Sequence, residues 1–463
     1  MTARGVHIAV SVALIVFYPC AAVPAHAVSP PAIDHSRLPE PAPPAPPQPT
    51  VQRGLCSVPS AEPGLGGLDK SGQLAGLDLP RVWELTRGSG QRVAIIDTGV
   101  SPHRRLPNVV AGGDYVSTGD GTQDCDGHGT IVAGIIAARR DSKAADHFSG
   151  VAPEATVISI RQSSTKFGAV ANGSNTGVGD VETMAKAVRT AADLGASVIN
   201  ISAVACMPAE STFDDRSLGA ALAYAVDVKN AVVVAAAGNT GGAGRCPAPP
   251  PQPTWDTVAV AVSPAWYDDY VLTVGSVNAQ GAPSAFSISG PWVDVAAPGE
   301  AVTSLSPVGD GMVNSVVGPG GPAPLSGTSY AAPVVSGLAA LIRSRFPTLT
   351  ARQVMQRIEA TAHRPPGGWD PVVGNGVVDA LAAVSTDAPP TTTTRRAPAN
   401  PVAIQAPAVP PRPSRTARHI AFTGAAICVV VLAAAVSTGT TATRLRRLRT
   451  PPAARGHDDI ACD

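Results

Sequence analysis

Four short stretches carry residue types that could do chemistry together. Asp97 ends the apolar run Val93-Ala94-Ile95-Ile96 and is followed by Thr98-Gly99. Such a run reads as a buried parallel strand delivering a carboxylate at its C-terminal end. His128 lies in Asp126-Gly127-His128-Gly129-Thr130, which opens a helical run of small and apolar residues. Asn239 closes the strand-like stretch Val232-Val233-Val234-Ala235-Ala236-Ala237-Gly238. Ser329 lies in Gly327-Thr328-Ser329-Tyr330-Ala331-Ala332-Pro333, which leads into a helix-forming run. An acid, an imidazole and a hydroxyl are the parts of nucleophilic acyl transfer. The acid orients the imidazole, the imidazole takes the hydroxyl proton, and the oxygen attacks a carbonyl. A side-chain amide at a strand end suits an oxyanion donor. The serine stands at a helix N-terminus, where unpaired N–H groups favour negative charge. Pro333 reads as a first-turn proline with no intrahelical hydrogen bond to lose.

Each stretch alone has a plainer reading, the serine motif as an ordinary capped core helix. Asp-Thr-Gly is also the signature of aspartic proteases, which need a second carboxylate sharing a proton. The chain holds no second Asp-Thr-Gly or Asp-Ser-Gly, and that reading leaves His128, Asn239 and Ser329 without a purpose. The order Asp, His, Asn, Ser is instead the subtilisin order. Together with Gly150-Val151-Ala152-Pro153 and Val198-Ile199-Asn200-Ile201-Ser202, these motifs resemble the signatures of the subtilisin-like serine proteases over residues 79–384. The resemblance implies a triad of Asp97, His128 and Ser329, with Asn239 as the oxyanion asparagine. Tyr330 departs from the pattern, since most members carry Met there. The implied mechanism needs no cofactor. Asp120, Asp124 and Asp126 hint at calcium, but no complete ligand set accompanies them, so no metal is assigned.

These groups need a rigid frame. Strand-like runs at 155–160, 197–202 and 231–237 alternate with helical ones at 181–194 and 217–229. That alternation predicts an α/β, subtilisin-like fold, a mostly parallel sheet with helices on both faces and active groups at strand ends. Further strands are expected at 271–277 and 292–296. Thr350-Ala351-Arg352-Gln353 reads as a capping box opening another helix. The glycine- and proline-rich segments 163–179, 241–253 and 307–324 are expected to be loops rimming the cleft.

The 463 residues carry 34 basic and 34 acidic side chains, a balance that argues against a general nucleic-acid surface. Arg4, an apolar stretch over 8–18 and Ala25-His26-Ala27 form a secretory signal peptide over 1–27. Residues 28–78 are expected to form a proline- and glycine-rich extension, in which 29–50 is too poor in apolar residues to fold alone and 56–76 lies on the surface of the catalytic domain. A catalytic domain over 79–385 follows, then a proline-rich linker over 386–418. Residues 419–443 are apolar enough for a C-terminal transmembrane helix, and Arg444, Arg446, Arg447 and Arg449 begin a tail over 444–463. With an export signal in front, the catalytic domain is expected outside the cell membrane and the tail in the cytoplasm. Cys56, Cys125, Cys206 and Cys246 fall in the exported part, and four cysteines allow three connectivities that sequence alone does not decide. The pairing favoured is Cys56 with Cys125 and Cys206 with Cys246.

This layout resembles the mycosins, membrane-anchored subtilases associated with type VII secretion systems. That narrower resemblance implies processing of a few secreted protein substrates and association with secretion membrane components. A competing reading makes the domain mainly a structural docking subunit of the membrane complex, with dispensable proteolysis.

Overall fold

The computed structural model describes residues 28–385, apart from 63–71, 142–146, 172–176, 209–213, 242–245 and 319–320. The signal peptide, linker, transmembrane helix and tail expected from sequence lie outside the described residues. Among the described residues, no helix is long and apolar enough to cross a membrane.

Seven strands form the central sheet: β1 (Arg92–Asp97), β2 (Val109–Asp114), β3 (Thr156–Arg161), β4 (Val198–Ile201), β5 (Val232–Ala236), β6 (Leu272–Val277) and β7 (Val295–Pro298). Their order is β7-β6-β5-β4-β1-β3-β2, and every pairing is parallel. Parallel strands need crossover connections that cover both faces, so their residues are apolar without alternation. β5 is buried at all five positions, and β1 at every position after Arg92.

The covering helices are α1 (Leu79–Leu85), α2 (His128–Ala137), α3 (Val181–Asp193), α4 (Arg216–Ala223), α5 (Thr328–Arg345), α6 (Ala351–Thr361) and α7 (Ala380–Ser385). α2 and α5 pack on each other, and α5 lies along β4, β5, β6 and β7. α3 and α4 form a second pair, with α3 against β1, β3 and β4. The α/β layout expected from the alternating runs is the one observed. α2 is buried at every position after His128, which explains its apolar sequence all round. The Thr350 capping box opens α6 as read, with Gln353 completing it. β1 has β3 on one side and β4 on the other, so the chain reverses its direction of winding there. Such a reversal opens a crevice above the C-terminal ends of the strands.

Two segments read as loops contain strands. Phe167–Ala169, within 163–179, pairs antiparallel with Thr50–Gln52. Within 307–324, Met312–Val313 pairs with Ser304–Leu305, and Ser315–Gly318 with Gly321–Pro324. Their glycines and prolines conceal strand character. The first pairing also depends on a partner more than a hundred residues away.

Residues 28–62 have little core of their own and borrow partners along the domain. The Val28 N–H donates to the Trp255 carbonyl at 3.1 Å, and Arg189 donates to the Pro39 carbonyl at 3.1 Å. Glu62 and Asn314 exchange two hydrogen bonds at 2.8 and 2.9 Å. Disulfides join Cys56 to Cys125, with Cα atoms 4.5 Å apart, and Cys206 to Cys246, at 5.3 Å. Replacing Cys56 and Cys125 together by Ser is expected to lower stability by about 2–4 kcal/mol. A denaturant midpoint unchanged by that double substitution would show that the Cys56–Cys125 link does not stabilise the domain.

Candidate active site

The strand ends bring Asp97, His128 and Ser329 into one hydrogen-bonded line. Asp97 is the last residue of β1 and only 2% exposed. Its Oδ1 accepts from the Thr98 N–H at 2.7 Å and meets His128 Nδ1 at 2.8 Å. Among the described residues, no hydrogen bond reaches its buried Oδ2. His128 is the first residue of α2 and presents Nε2 to Ser329 Oγ at 2.9 Å. An ionised carboxylate only accepts, so the shared proton belongs to Nδ1 and Nε2 is left to accept the serine proton. Gly129 makes this approach possible, because a β-carbon there would strike the Gly99 carbonyl oxygen.

Asn239 comes to the same place from the end of β5. Its Oδ1 accepts from the Thr328 N–H at 2.9 Å and from the Thr328 hydroxyl at 3.1 Å. An N–H can only donate, so the amide oxygen must face Thr328 and the NH2 must face the serine side. Gly327 marks the space between them. A β-carbon there would stand 3.1 Å from Ser329 Oγ, 3.4 Å from Asn239 Nδ2 and 3.8 Å from the Ser329 backbone nitrogen. Such a concavity can hold an oxyanion bonded to the serine oxygen.

Sequence reasoning missed how this line is held. Asp124 Oδ1 accepts from the Thr98 hydroxyl at 2.8 Å, and Oδ2 from the Thr130 N–H and hydroxyl at 2.8 and 2.7 Å. The Thr98 hydroxyl in turn accepts from the Gly129 N–H at 3.0 Å. Asp124 thus ties the end of β1 to the start of α2, and burial pushes its carboxyl up to about 6. Asp126 accepts from the Thr165 N–H at 2.8 Å and from the hydroxyls of Ser164 and Thr165, fastening the segment beside His128. Asp120 closes a local turn on Thr122. The sequence marked Asp120, Asp124 and Asp126 only as an acidic cluster hinting at calcium, with no sign of these hydrogen bonds.

Burial disfavours the charged imidazole of His128. The adjacent Asp97, with Asp124 and Asp126 behind it, outweighs burial and raises the ring above its ordinary value. Only the neutral ring can accept a proton, so any activity that uses His128 as a base should rise with pH through a midpoint above the ordinary imidazole value. Asp126→Asn removes one of the attracting charges and should move that midpoint to lower pH. An unmoved midpoint in the pH profile would remove Asp126 from the electrostatics of the site.

The Tyr330 ring lies 5.1 Å from the His128 ring, tilted by 34°, and is itself buried. Pro333 is not a first-turn residue. α5 begins at Thr328, so Pro333 falls in the second turn, where its missing N–H leaves the Ser329 carbonyl without its helical partner. The motif starts the helix earlier than its apolar run suggested.

The subtilase family profile matches residues 88–376. Mycosin-4 of Mycobacterium tuberculosis is 69% identical over 429 residues, covering 92% of this chain and 92% of its own. The MycP3 protease from the type VII (ESX-3) secretion system aligns with a TM-score of 0.72 and 46% identity, over 78% of this chain and 100% of its own. A chain of the periplasmic assembly from the ESX-5 inner membrane complex aligns with a TM-score of 0.74 and 43% identity, over 79% of this chain and 95% of its own. The chain therefore belongs to the subtilase family of serine endopeptidases, among its mycosins.

Proposed function

We propose that Asp97, His128 and Ser329 are the catalytic triad of an exported, membrane-anchored endopeptidase, with Asn239 and the Ser329 N–H as oxyanion donors. The observation that carries this reading is the continuous line from Asp97 through His128 to Ser329, at 2.8 and 2.9 Å. Ser329 Oγ attacks the scissile carbonyl while His128 Nε2 takes its proton, and Asp97 stabilises the imidazolium. The carbonyl oxygen gathers charge between Asn239 Nδ2 and the Ser329 N–H. His128 then hands its proton to the departing amine, leaving an acyl-enzyme. Water deprotonated by His128 cleaves the ester and restores the serine.

The substrates in this reading are secreted proteins of a type VII secretion system, and the chain also helps stabilise the secretion membrane complex. Similarity to proteins described from such systems supports this. The signal peptide over 1–27 and the apolar stretch over 419–443 support an exported domain with one membrane anchor and a cytoplasmic tail. The test compares exported proteins from wild-type, Ser329→Ala and deletion cells, with the variant at normal abundance. Ser329→Ala is expected to lose processing of a few exported proteins while retaining the secretion that deletion abolishes. Unchanged processing would remove the catalytic role, and secretion lost equally in both strains would remove the separate structural one. Protease added to spheroplasts should digest the domain and spare the tail, and the reverse pattern would invert the topology.

A further inference from the structure

The backbone carbonyl of Ser329 lacks its helical partner. In an α-helix the carbonyl of residue i accepts the N–H of residue i+4. For Ser329 that residue is Pro333, which has no N–H to give. The Ser202 hydroxyl, one residue beyond β4, donates to this carbonyl at 3.0 Å. Ser202 Oγ accepts from Asn200 Nδ2 at 2.9 Å, and Asn200 Oδ1 accepts from the Ser336 hydroxyl at 2.8 Å. Ser336 belongs to the same helix α5, two turns beyond Ser329. Asn200 and Ser336 are fully buried and Ser202 is 8% exposed. Polar groups in such a place are unfavourable unless each is paired, and here they pair with one another and with the serine carbonyl.

We propose that Asn200, Ser202 and Ser336 form a positioning relay that replaces the missing Pro333 N–H and fixes the first turn of α5. The inference rests on Ser329 being the nucleophile. The peptide plane held by Ser202 belongs to the residue that supplies both Oγ and one oxyanion N–H. Its tilt sets how Oγ meets His128 Nε2. Because the proline denies the helix its own hydrogen bond, β4 holds the nucleophile in place of the helix.

The test measures kcat, KM and the rate of labelling by a fluorophosphonate on the full-length chain in detergent, using a chromogenic peptide. Ser202→Ala should lower kcat and the labelling rate by about 10- to 100-fold, the scale of a small misplacement of reacting groups. KM and the pH midpoint set by His128 should stay unchanged, because no charge or substrate contact is removed. Ser202→Thr keeps a hydroxyl and should recover most of the rate, whereas Ser202→Val should not. Pro333→Ala returns an N–H to the helix, so Ser202→Ala should have little effect in that background. An equal loss with and without Pro333→Ala would overturn the relay, as would a raised KM with unchanged kcat or full activity of Ser202→Ala. Should Pro333→Ala not fold, the contrast between Ser202→Thr and Ser202→Val decides, and equal rates for those two overturn it. Cleavage by Ser329→Ala would instead overturn the nucleophile assignment on which the relay depends.

Discussion

A Ser329→Ala protein is expected to lose peptide-bond cleavage by about 10⁶-fold in kcat while keeping its fold, the scale of such deletions in subtilisin itself. In the proposed mechanism the side chain removed is the group that forms the covalent bond. His128→Ala should lose a comparable amount, because Nε2 at 2.9 Å is the group positioned to take the serine proton. The two losses should not add, since each variant already disables the same step. Asp97→Asn should leave a larger remainder. Its amide can donate to Nδ1, which would move the ring proton to Nε2 and block acceptance from serine. Steady-state kinetics with a chromogenic peptide checks all three. Near-normal turnover in Ser329→Ala would contradict the assignment, and additive losses in the double variant would contradict the shared step.

The second large effect is expected at a residue with no reactive atom. Gly327 has φ 165°, an extended conformation open to any residue, so Ala should be accommodated without backbone strain. Its methyl group would nevertheless occupy the space facing Ser329 Oγ, Asn239 Nδ2 and the Ser329 nitrogen. The oxyanion would lose that space, and Gly327→Ala should lower kcat by at least the 10²- to 10³-fold typical of losing one oxyanion donor. Thermal stability should stay near that of the parent protein. Asn239→Ala should fall in the same range, which is the measured effect of the equivalent loss in subtilisin. A Gly327→Ala enzyme with ordinary kcat and a raised KM would show that the concavity binds substrate and does not hold the oxyanion.

How far the site was legible in the sequence follows from how local each signal is. Asp97, His128, Asn239 and Ser329 each close or open a short apolar run, so residue type and setting are read together from a few neighbours. Their chain order then links four local signals into one chemistry. The parallel sheet was legible for the same reason, since residues 93–96 in β1 and Val232–Ala236 in β5 are unbroken apolar runs followed closely by Gly99 and Gly238. The supporting residues were not legible, because their partners lie far away along the chain. Thr98 meets Asp124 across 26 residues, and Ser202 meets Ser329 across 127. Nothing in Asn200-Ile201-Ser202 says which carbonyl its hydroxyl will find. Thr50–Gln52 lies close behind a proline-rich stretch and becomes a strand only because Phe167–Ala169 offers it an edge. Pro333 was misread because the helix start depends on Asn239 accepting the Thr328 N–H, a contact 89 residues apart.

The most direct test of the central claim is to treat the full-length protein with a fluorophosphonate and locate the adduct by mass spectrometry. A single adduct on the peptide containing Ser329 is expected, formed in step with loss of peptidase activity and absent from His128→Ala on the same timescale. Activity abolished by an adduct on another residue, or activity retained with Ser329 fully modified, would contradict the account.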